Sequence, residues 1–273
     1  MKTCLSIAGS DSSGGAGIQA DLKTFAALGV YGMSAITALT AQNTCGVQGV
    51  FAVEASFVGQ QIQSVFDDIP PNAIKIGMLA NEEIIEQVAK QLKQNQAENV
   101  VLDPVMIATS GASLLNESAC RTFIDVLIPR VQVLTPNVAE LFALCHAQDI
   151  KTPSSQDIDY QQLALLSQAL FHSLNKNINA KPIAILSKGG HIHNEDARDY
   201  LLTYDGETWL NAPRINTQNT HGTGCTLSSA ICVALAQGES LKNACINAKA
   251  YLTKALESGL NLGAGNGPLN HLV

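Results

Sequence analysis

NTHGTGCTLSS, residues 219–229, decides how the rest of the chain is read. Gly222 and Gly224 flank Thr223, Cys225 stands where a helix starts, and an apolar run over 227–235 carries that helix into a core. The first N–H groups of a helix have no partner within it. Aligned peptide dipoles add about half a positive charge there, so such an end attracts anions. Glycines on both sides of Thr223 let the backbone approach a ligand closely. Cys225 lies in that positive field, which favours its thiolate. A helix cap over a buried cysteine would carry the same letters, so the surrounding chain has to decide between the two.

Working outward, short apolar runs fit for strands occur at 3–8, 33–39, 73–78, 100–102, 131–134 and 183–186. Between them apolar residues recur at helical spacing, as with Ile18, Leu22, Phe25 and Leu28, or Ile84, Ile85, Val88 and Leu92 behind a capping Asn81. Further helices are predicted over 117–128, 157–174 and 240–258, with a glycine-punctuated loop after residue 44. Asp205-Gly206, inside an alternating stretch, predicts a hairpin. Regular alternation of strand and helix predicts a mostly parallel sheet with helices on both faces and an antiparallel hairpin flank. No linker or composition shift divides the chain, so residues 1–273 are expected to form one domain. Ligands of such sheets bind beyond the carboxyl ends of the strands. The polar strings at 9–17, 41–44, 103–104, 135–140 and 187–190 all follow strands and should converge on one edge.

Composition closes several routes. The net charge of −7 and the lack of any basic cluster argue against nucleic acid as a partner. Residues 1–8 lack the length and the charged-then-apolar order of a signal peptide and no apolar run reaches membrane-spanning length, so no membrane partner is expected. Seven cysteines without a C-x-x-C pair fit reduced thiols in the cytoplasm better than a disulfide frame or a zinc site. Two nucleotide signatures are near misses. GSDSSGG lacks the lysine and hydroxyl residue of a P-loop, and GAGIQA begins too far beyond its strand, with no acidic residue where a ribose would need one.

The remaining constellation suits phosphoryl transfer, which needs positioning, neutralised charge and a group for the acceptor proton. Gly222, Thr223, Gly224 and Cys225 offer N–H donors, Lys188 between Ser187 and a glycine pair offers a mobile cation, and Asp103 and Glu140 offer hard oxygens for Mg²⁺. Each also has a plain reading: a solvated loop lysine, a turn residue before proline, a first-turn helix charge. Their common place at strand ends favours the functional one.

SIAGSDSSGGAGIQADLKTF, ITALTAQNT, KIGML, DPVM, LTPNVAEL, KGGH and NTHGTGCTLSSAI together resemble the hydroxymethylpyrimidine/phosphomethylpyrimidine kinases of thiamine biosynthesis, in the ribokinase-like superfamily. The resemblance runs in the family's order from Ser6 to the last helix. It implies a three-layer α/β/α fold, a cytoplasmic homodimer, and transfer of the ATP γ-phosphate first to hydroxymethylpyrimidine and then to its monophosphate. By motif, it implies that Asp21 and Gln42 read the aminopyrimidine, with Gly9, Met78 and Val105 lining the pocket. Lys188, Thr220 and Gly222 would meet ATP, Asp103 and Glu140 the metal, and Gly222 to Cys225 would form the anion hole, leaving open whether the Cys225 thiolate is the base or a neighbour of the reacting hydroxyl.

Two positions depart from the pattern: Thr109 and Gln218 stand where lysines are usual, which thins positive charge near the phosphates. Two other readings use the same residues. A pyridoxal kinase of the same fold is one, against which Gln42 and the G-T-G-C string speak. A non-catalytic pyrimidine sensor is the other, against which Lys188, Asp103 and Glu140 speak.

Overall fold

The structure, a computed structural model, describes residues 1–106, 117–154, 158–176, 182–192 and 196–273. Its first strand, β1 (Thr3–Asp11), is buried from Cys4 to Gly9, as a strand covered on both faces must be. β2 (Tyr31–Asn43) lies parallel on one side of it and β4 (Ala73–Ile76) parallel on the other. β5 (Val100–Leu102), β6 (Val133–Leu134) and β7 (Ala184–Lys188) continue the parallel series. β3 (Gly46–Ala52) closes one edge antiparallel to β2, and β8 (Asp199–Thr203) with β9 (Gly206–Leu210) closes the other. The described strands form one sheet in the order β3-β2-β1-β4-β5-β6-β7-β8-β9. The mostly parallel sheet and the hairpin at 203–206 agree with the sequence reading.

Alternation along the strands sorts the core into two layers. Leu5, Ile7, Ile74, Ile76, Val100 and Leu102 face α2 (Ala55–Asp68), α3 (Glu82–Gln94), α5 (Val138–Ala147) and α6 (Tyr160–Asn175). Cys4, Ala73, Val101, Val133 and Ala184 face α1 (Gly17–Ala27), α7 (Thr223–Ala236) and α8 (Leu241–Glu257). α7 is buried over every residue from 226 to 236, so its amino end is held by packing on all sides. α4 (Glu117–Thr122) passes into a wide π turn over Phe123–Leu127 rather than continuing as the regular helix predicted to 128.

One prediction fails at the edge: residues after 44 form a strand, not a loop. Gly46 and Gly49 read as punctuation, but β2 runs on to Asn43 and pairs with β3 as a two-stranded ribbon whose β3 side chains are mostly exposed. Gln42 therefore sits in a strand. No helix among the described residues is long and apolar enough to cross a membrane.

A single charged pair is sealed within the α1–α7 layer. Lys75 Nζ on β4 donates to both carboxylate oxygens of Asp21 on α1, at 2.8 Å each, with both side chains 0% exposed. Ser6 of β1 (2.5 Å) and Ser229 of α7 (2.8 Å) donate to the same carboxylate. Removing one ion of such a pair strands the other in a low-dielectric interior. Asp21→Ala should therefore lower unfolding free energy by about 3–5 kcal/mol in denaturant titrations, and Asp21→Leu with Lys75→Met should recover most of it. A single variant as stable as the parent would mean that water reaches Lys75.

Candidate active site

Sheet order reverses direction once, at β1, whose neighbours β2 and β4 follow it on opposite sides. A crevice forms at such a switch point beyond the strand ends. Here the β1–β2 register shifts between Ala8 and Ser10, and a Cβ added to Gly9 would sit 3.4 Å from the sulfur of Met78. Gly9 and Met78 are thus neighbours, with Met78 O accepting from Thr37 Oγ1 at 2.7 Å. Val105 follows two residues after Asp103 and donates its N–H to the Asp103 carbonyl at 2.8 Å.

Beside this crevice lies a charged cluster built from three strand ends and a helix start. Lys188, the last residue of β7, donates to Asp103 Oδ1 at 2.7 Å and lies 3.7 Å from Glu140 Oε2. Thr135 also donates to Asp103 Oδ1, at 3.1 Å. Glu140 belongs to a capping box: Asn137 N donates to Glu140 Oε2 at 2.7 Å and Glu140 N to Asn137 Oδ1 at 2.9 Å. Burial raises the Glu140 carboxyl above its ordinary range; Lys188 opposes that rise and Asp103 adds to it. For Lys188, burial would lower the ammonium, but Asp103 and Glu140 outweigh it and hold the group above the usual lysine range.

α7 brings its amino end to the same cluster. Gly222 caps it at φ 88°, a left-handed angle, and a Cβ there would overlap the carbonyl oxygen of Gly15. A Cβ on Gly224 would stand 3.1 Å from Asp103 Oδ2 and 3.3 Å from Lys188 Nζ, so any side chain there would press on both charged groups, which glycine spares. Thr223 opens the helix and its N–H bonds to the exposed Thr220 carbonyl at 3.3 Å. The structure therefore brings Gly222, Thr223, Gly224, Asp103, Glu140 and Lys188 together, with Cys225 in the first turn and Thr220 at its margin.

Two expectations need correction. Asp21 lies in the sealed pair with Lys75 beneath α7, its carboxylate taken up by Lys75, Ser6 and Ser229, and it does not reach the crevice surface. Cys225 is not a ready thiolate. Burial pushes its thiol up to about 11, Asp21 and Asp103 add to this, and Lys75 and the Gly17 N–H offset only part of it. Thr109 lies outside the described residues. Gln218 is exposed, and its carbonyl accepts from Thr220 N and Gly267 N at 3.0 Å each.

The sequence reading passed over several residues that shape the site. Asp11 accepts from Ser13 N (2.8 Å), Ser13 Oγ (2.8 Å), Gly15 N (3.1 Å) and Ala16 N (2.8 Å), folding the loop 11–16 around one carboxylate. His221 Nε2 reaches the same carboxylate at 2.7 Å. Burial alone would raise the Asp11 carboxyl, yet His221 and Ser13 hold it well below the usual range. Asp199, paired with Lys249 at 2.7 Å, takes the Gly189 N–H at 3.0 Å and so fixes the turn after Lys188. The Asn137 to Glu140 spacing is a legible capping signal; the Asp199–Lys249 pairing spans 50 residues and leaves no local trace.

The sequence profile of the phosphomethylpyrimidine kinase family matches residues 11–270. The chain belongs to that family. This kinase is 47% identical to the hydroxymethylpyrimidine/phosphomethylpyrimidine kinase of Salmonella typhimurium over 98% of its own length and 96% of that protein. The solved phosphomethylpyrimidine kinase of Clostridium difficile is similar at 40% identity and a TM-score of 0.77, over 94% of this kinase and 100% of that chain. An ADP complex of Bacillus subtilis pyridoxal kinase is similar at 35% identity and a TM-score of 0.85, over 99% and 97% of the two chains. The ribokinase-like fold of the kinase is thus shared with relatives named for either substrate.

The raised Cys225 thiol has a measurable consequence. In the free kinase, iodoacetamide should modify the Cys225 peptide slowly at pH 7, with the rate climbing toward pH 11 as thiolate forms. A rate already at its plateau near pH 7, read by peptide mass spectrometry, would show that the helix end outweighs burial.

Proposed function

We propose that this kinase phosphorylates 4-amino-5-hydroxymethyl-2-methylpyrimidine to its monophosphate and then to its diphosphate, with ATP as donor, in thiamine diphosphate biosynthesis. The observation that carries the reading is the charged cluster of Lys188, Asp103 and Glu140 packed directly against the amino end of α7. Phosphoryl transfer depends on such fixed positive groups and dipoles far more than on covalent chemistry. The Bacillus subtilis relative, solved with ADP, supports the nucleotide.

In this reading the pyrimidine lies at the β1 switch point, against Gly9, Met78 and Val105, with Gln42 on its polar edge. A carboxamide both donates and accepts, which matches an amino group beside a ring nitrogen. N–H groups of Gly222 to Cys225 receive the phosphoryl oxygens, and Lys188, with Thr220 and Gly222 near the nucleotide tail, neutralises their charge. Cys225 serves the reacting hydroxyl from the first turn of α7, so its thiolate has to form within the loaded site.

The donor set fits Mg²⁺. That ion takes one or two carboxylates and completes its shell with water and phosphate oxygens, and among the described residues Asp103 Oδ2 and Glu140 Oε1 take no hydrogen bond. Bound there, the metal would supply charge neutralisation at the phosphates. One sheet carrying every described strand supports a single kinase domain over 1–273. A cytoplasmic location belongs to the same reading, resting on seven cysteines with no C-x-x-C pair.

The assay is purified chain with Mg-ATP and each pyrimidine, products resolved by mass, with pyridoxal as competitor. Monophosphate and then diphosphate should form, and Lys188→Ala should cut turnover on the order of 10²–10³-fold. If pyridoxal alone is phosphorylated, the substrate assignment is wrong.

A homodimer is part of the same proposal. Leu39, Val47, Val50 and Phe51 expose apolar surface along the β2–β3 ribbon, with Phe51 71% exposed. Phe51→Asp should shift the protein from dimer to monomer in sedimentation velocity; a parent that sediments as a monomer refutes the dimer.

A further inference from the structure

Gln42 on β2 stands between two partners whose hydrogens can be assigned by elimination. Thr40 Oγ1 lies 2.8 Å from the carbonyl oxygen of Ser10 and 3.1 Å from a terminal atom of the Gln42 amide, drawn as its oxygen. A carbonyl oxygen carries no hydrogen, so the hydroxyl proton of Thr40 belongs to the Ser10 contact. Toward Gln42, Thr40 then offers only lone pairs, and it needs a donor there.

The opposite side gives the converse. His221 Nε2 lies 2.7 Å from Asp11 Oδ2, and the Asp11 carboxylate already accepts from Ser13 N, Ser13 Oγ, Gly15 N and Ala16 N. An oxygen so surrounded by donors is an ionised acceptor, and the proton between it and the ring is carried on Nε2. The other Gln42 amide atom, drawn as nitrogen, faces that N–H at 3.4 Å, which would set donor against donor. Exchanging the amide oxygen and nitrogen gives Thr40 the donor it needs and replaces the donor–donor contact at His221 by an amide oxygen beside the positive edge of an N–H already bonded to Asp11, and such an assignment is properly made from the network.

We propose that His221 and Thr40 are positioning residues that lock the Gln42 carboxamide, nitrogen toward Thr40 and oxygen toward His221, and that this order selects a 4-aminopyrimidine over its 4-oxo counterpart. The inference deepens the substrate reading above and rests on it. The locked order agrees with the chemistry of the substrate. Its amino group is on the ring carbon next to the hydroxymethyl-bearing one, and the ring nitrogen is one atom further away. His221 immediately precedes the amino end of α7, where the hydroxymethyl group must go. The amide oxygen is therefore on the side of the amino group, and the free amide N–H on the side of the ring nitrogen. A 4-oxo ring reverses both, placing an acceptor against the oxygen and a ring N–H against the amide N–H. The lock is braced from behind: Gly265 N and Asn266 N bond Thr44 at 3.2 and 3.1 Å, and His221 N bonds Gly267 O at 3.0 Å, tying the ribbon and the α7 approach to one segment.

The test compares kcat/KM for the 4-amino substrate and its 4-oxo analogue using the full chain. The parent should favour the amine on the order of hundredfold or more, because a site built for one donor–acceptor pattern leaves polar groups unpaired against the reverse. His221→Phe and Thr40→Val should each free the amide to rotate and cut that ratio about tenfold or more, with the KM for ATP nearly unchanged. Should His221→Phe fail to fold, Thr40→Val, on the half-exposed ribbon strand, carries the test alone. An unchanged ratio in a folded variant, where Gln42→Leu abolishes the ratio, overturns the lock and leaves the functional reading standing. A parent that phosphorylates neither pyrimidine refutes the functional reading instead. The lock then rests on ¹⁵N spectra of His221: a protonated Nε2 upholds it and a bare Nε2 overturns it.

Discussion

The structure depends on one buried ionic contact, between Lys75 and Asp21. α7 is apolar almost throughout and could slide along the sheet if hydrophobic contact alone held it, because that attraction has no direction. Ser229 gives it one fixed point, donating to the carboxylate that Lys75 and Ser6 also hold. A buried ion pair is a weak source of stability but a strong constraint on register. Five residues toward its amino end, at Gly224, α7 comes so close to Asp103 and Lys188 that an added Cβ would stand 3.1 and 3.3 Å from them. A slip by one residue would drive a side chain into those charges.

That constraint explains why a glycine-rich string is a specific sign here. Gly222 is required by its left-handed angle and by the Gly15 carbonyl, and Gly224 keeps a side chain from pressing on the carboxylate and ammonium groups beside it. The helix end, the cation and the two carboxylates then form a unit in which opposite charges are held close but not collapsed onto one another. Lys188 bonds Asp103 closely and Glu140 at a longer distance. The capping box keeps Glu140 from following Lys188, since its Oε2 is already committed to Asn137 N.

Much of this was legible in the sequence, for identifiable reasons. The parallel sheet, the helical layers and the hairpin at 203–206 follow from periodicities that act over a few residues, and the strand-end cluster follows from them by topology. Edge strand β3 was hidden because its side chains are solvated and carry no burial pattern, while its glycines imitate a loop. Asp21 was misplaced because nothing local distinguishes a carboxylate at a pocket from one whose partner, Lys75, is 54 positions away. The thiol of Cys225 was misjudged for a related reason. The field of a helix end can be read from sequence, whereas the desolvation that outweighs it is a property of the finished core. His221 stood in the quoted motif, but its partner Asp11 is 210 residues earlier.

The β2–β3 ribbon has a consequence for how the chain fails. In a lone protomer, with the proposed dimer contact undone, the ribbon's far half has exposed side chains, so its ladder can open while the central sheet stays intact, and local openings of this kind cost far less than global unfolding. Gln42 is carried on that ribbon, whereas Lys188 ends the buried strand β7, Asp103 directly follows β5 and Glu140 is held in the first turn of α5. Warming or mild denaturant should then erode the ability to tell one ring from another before it erodes the machinery for handling phosphate. The chain would pass through an interval in which it is still folded and still a phosphotransferase, but a careless one.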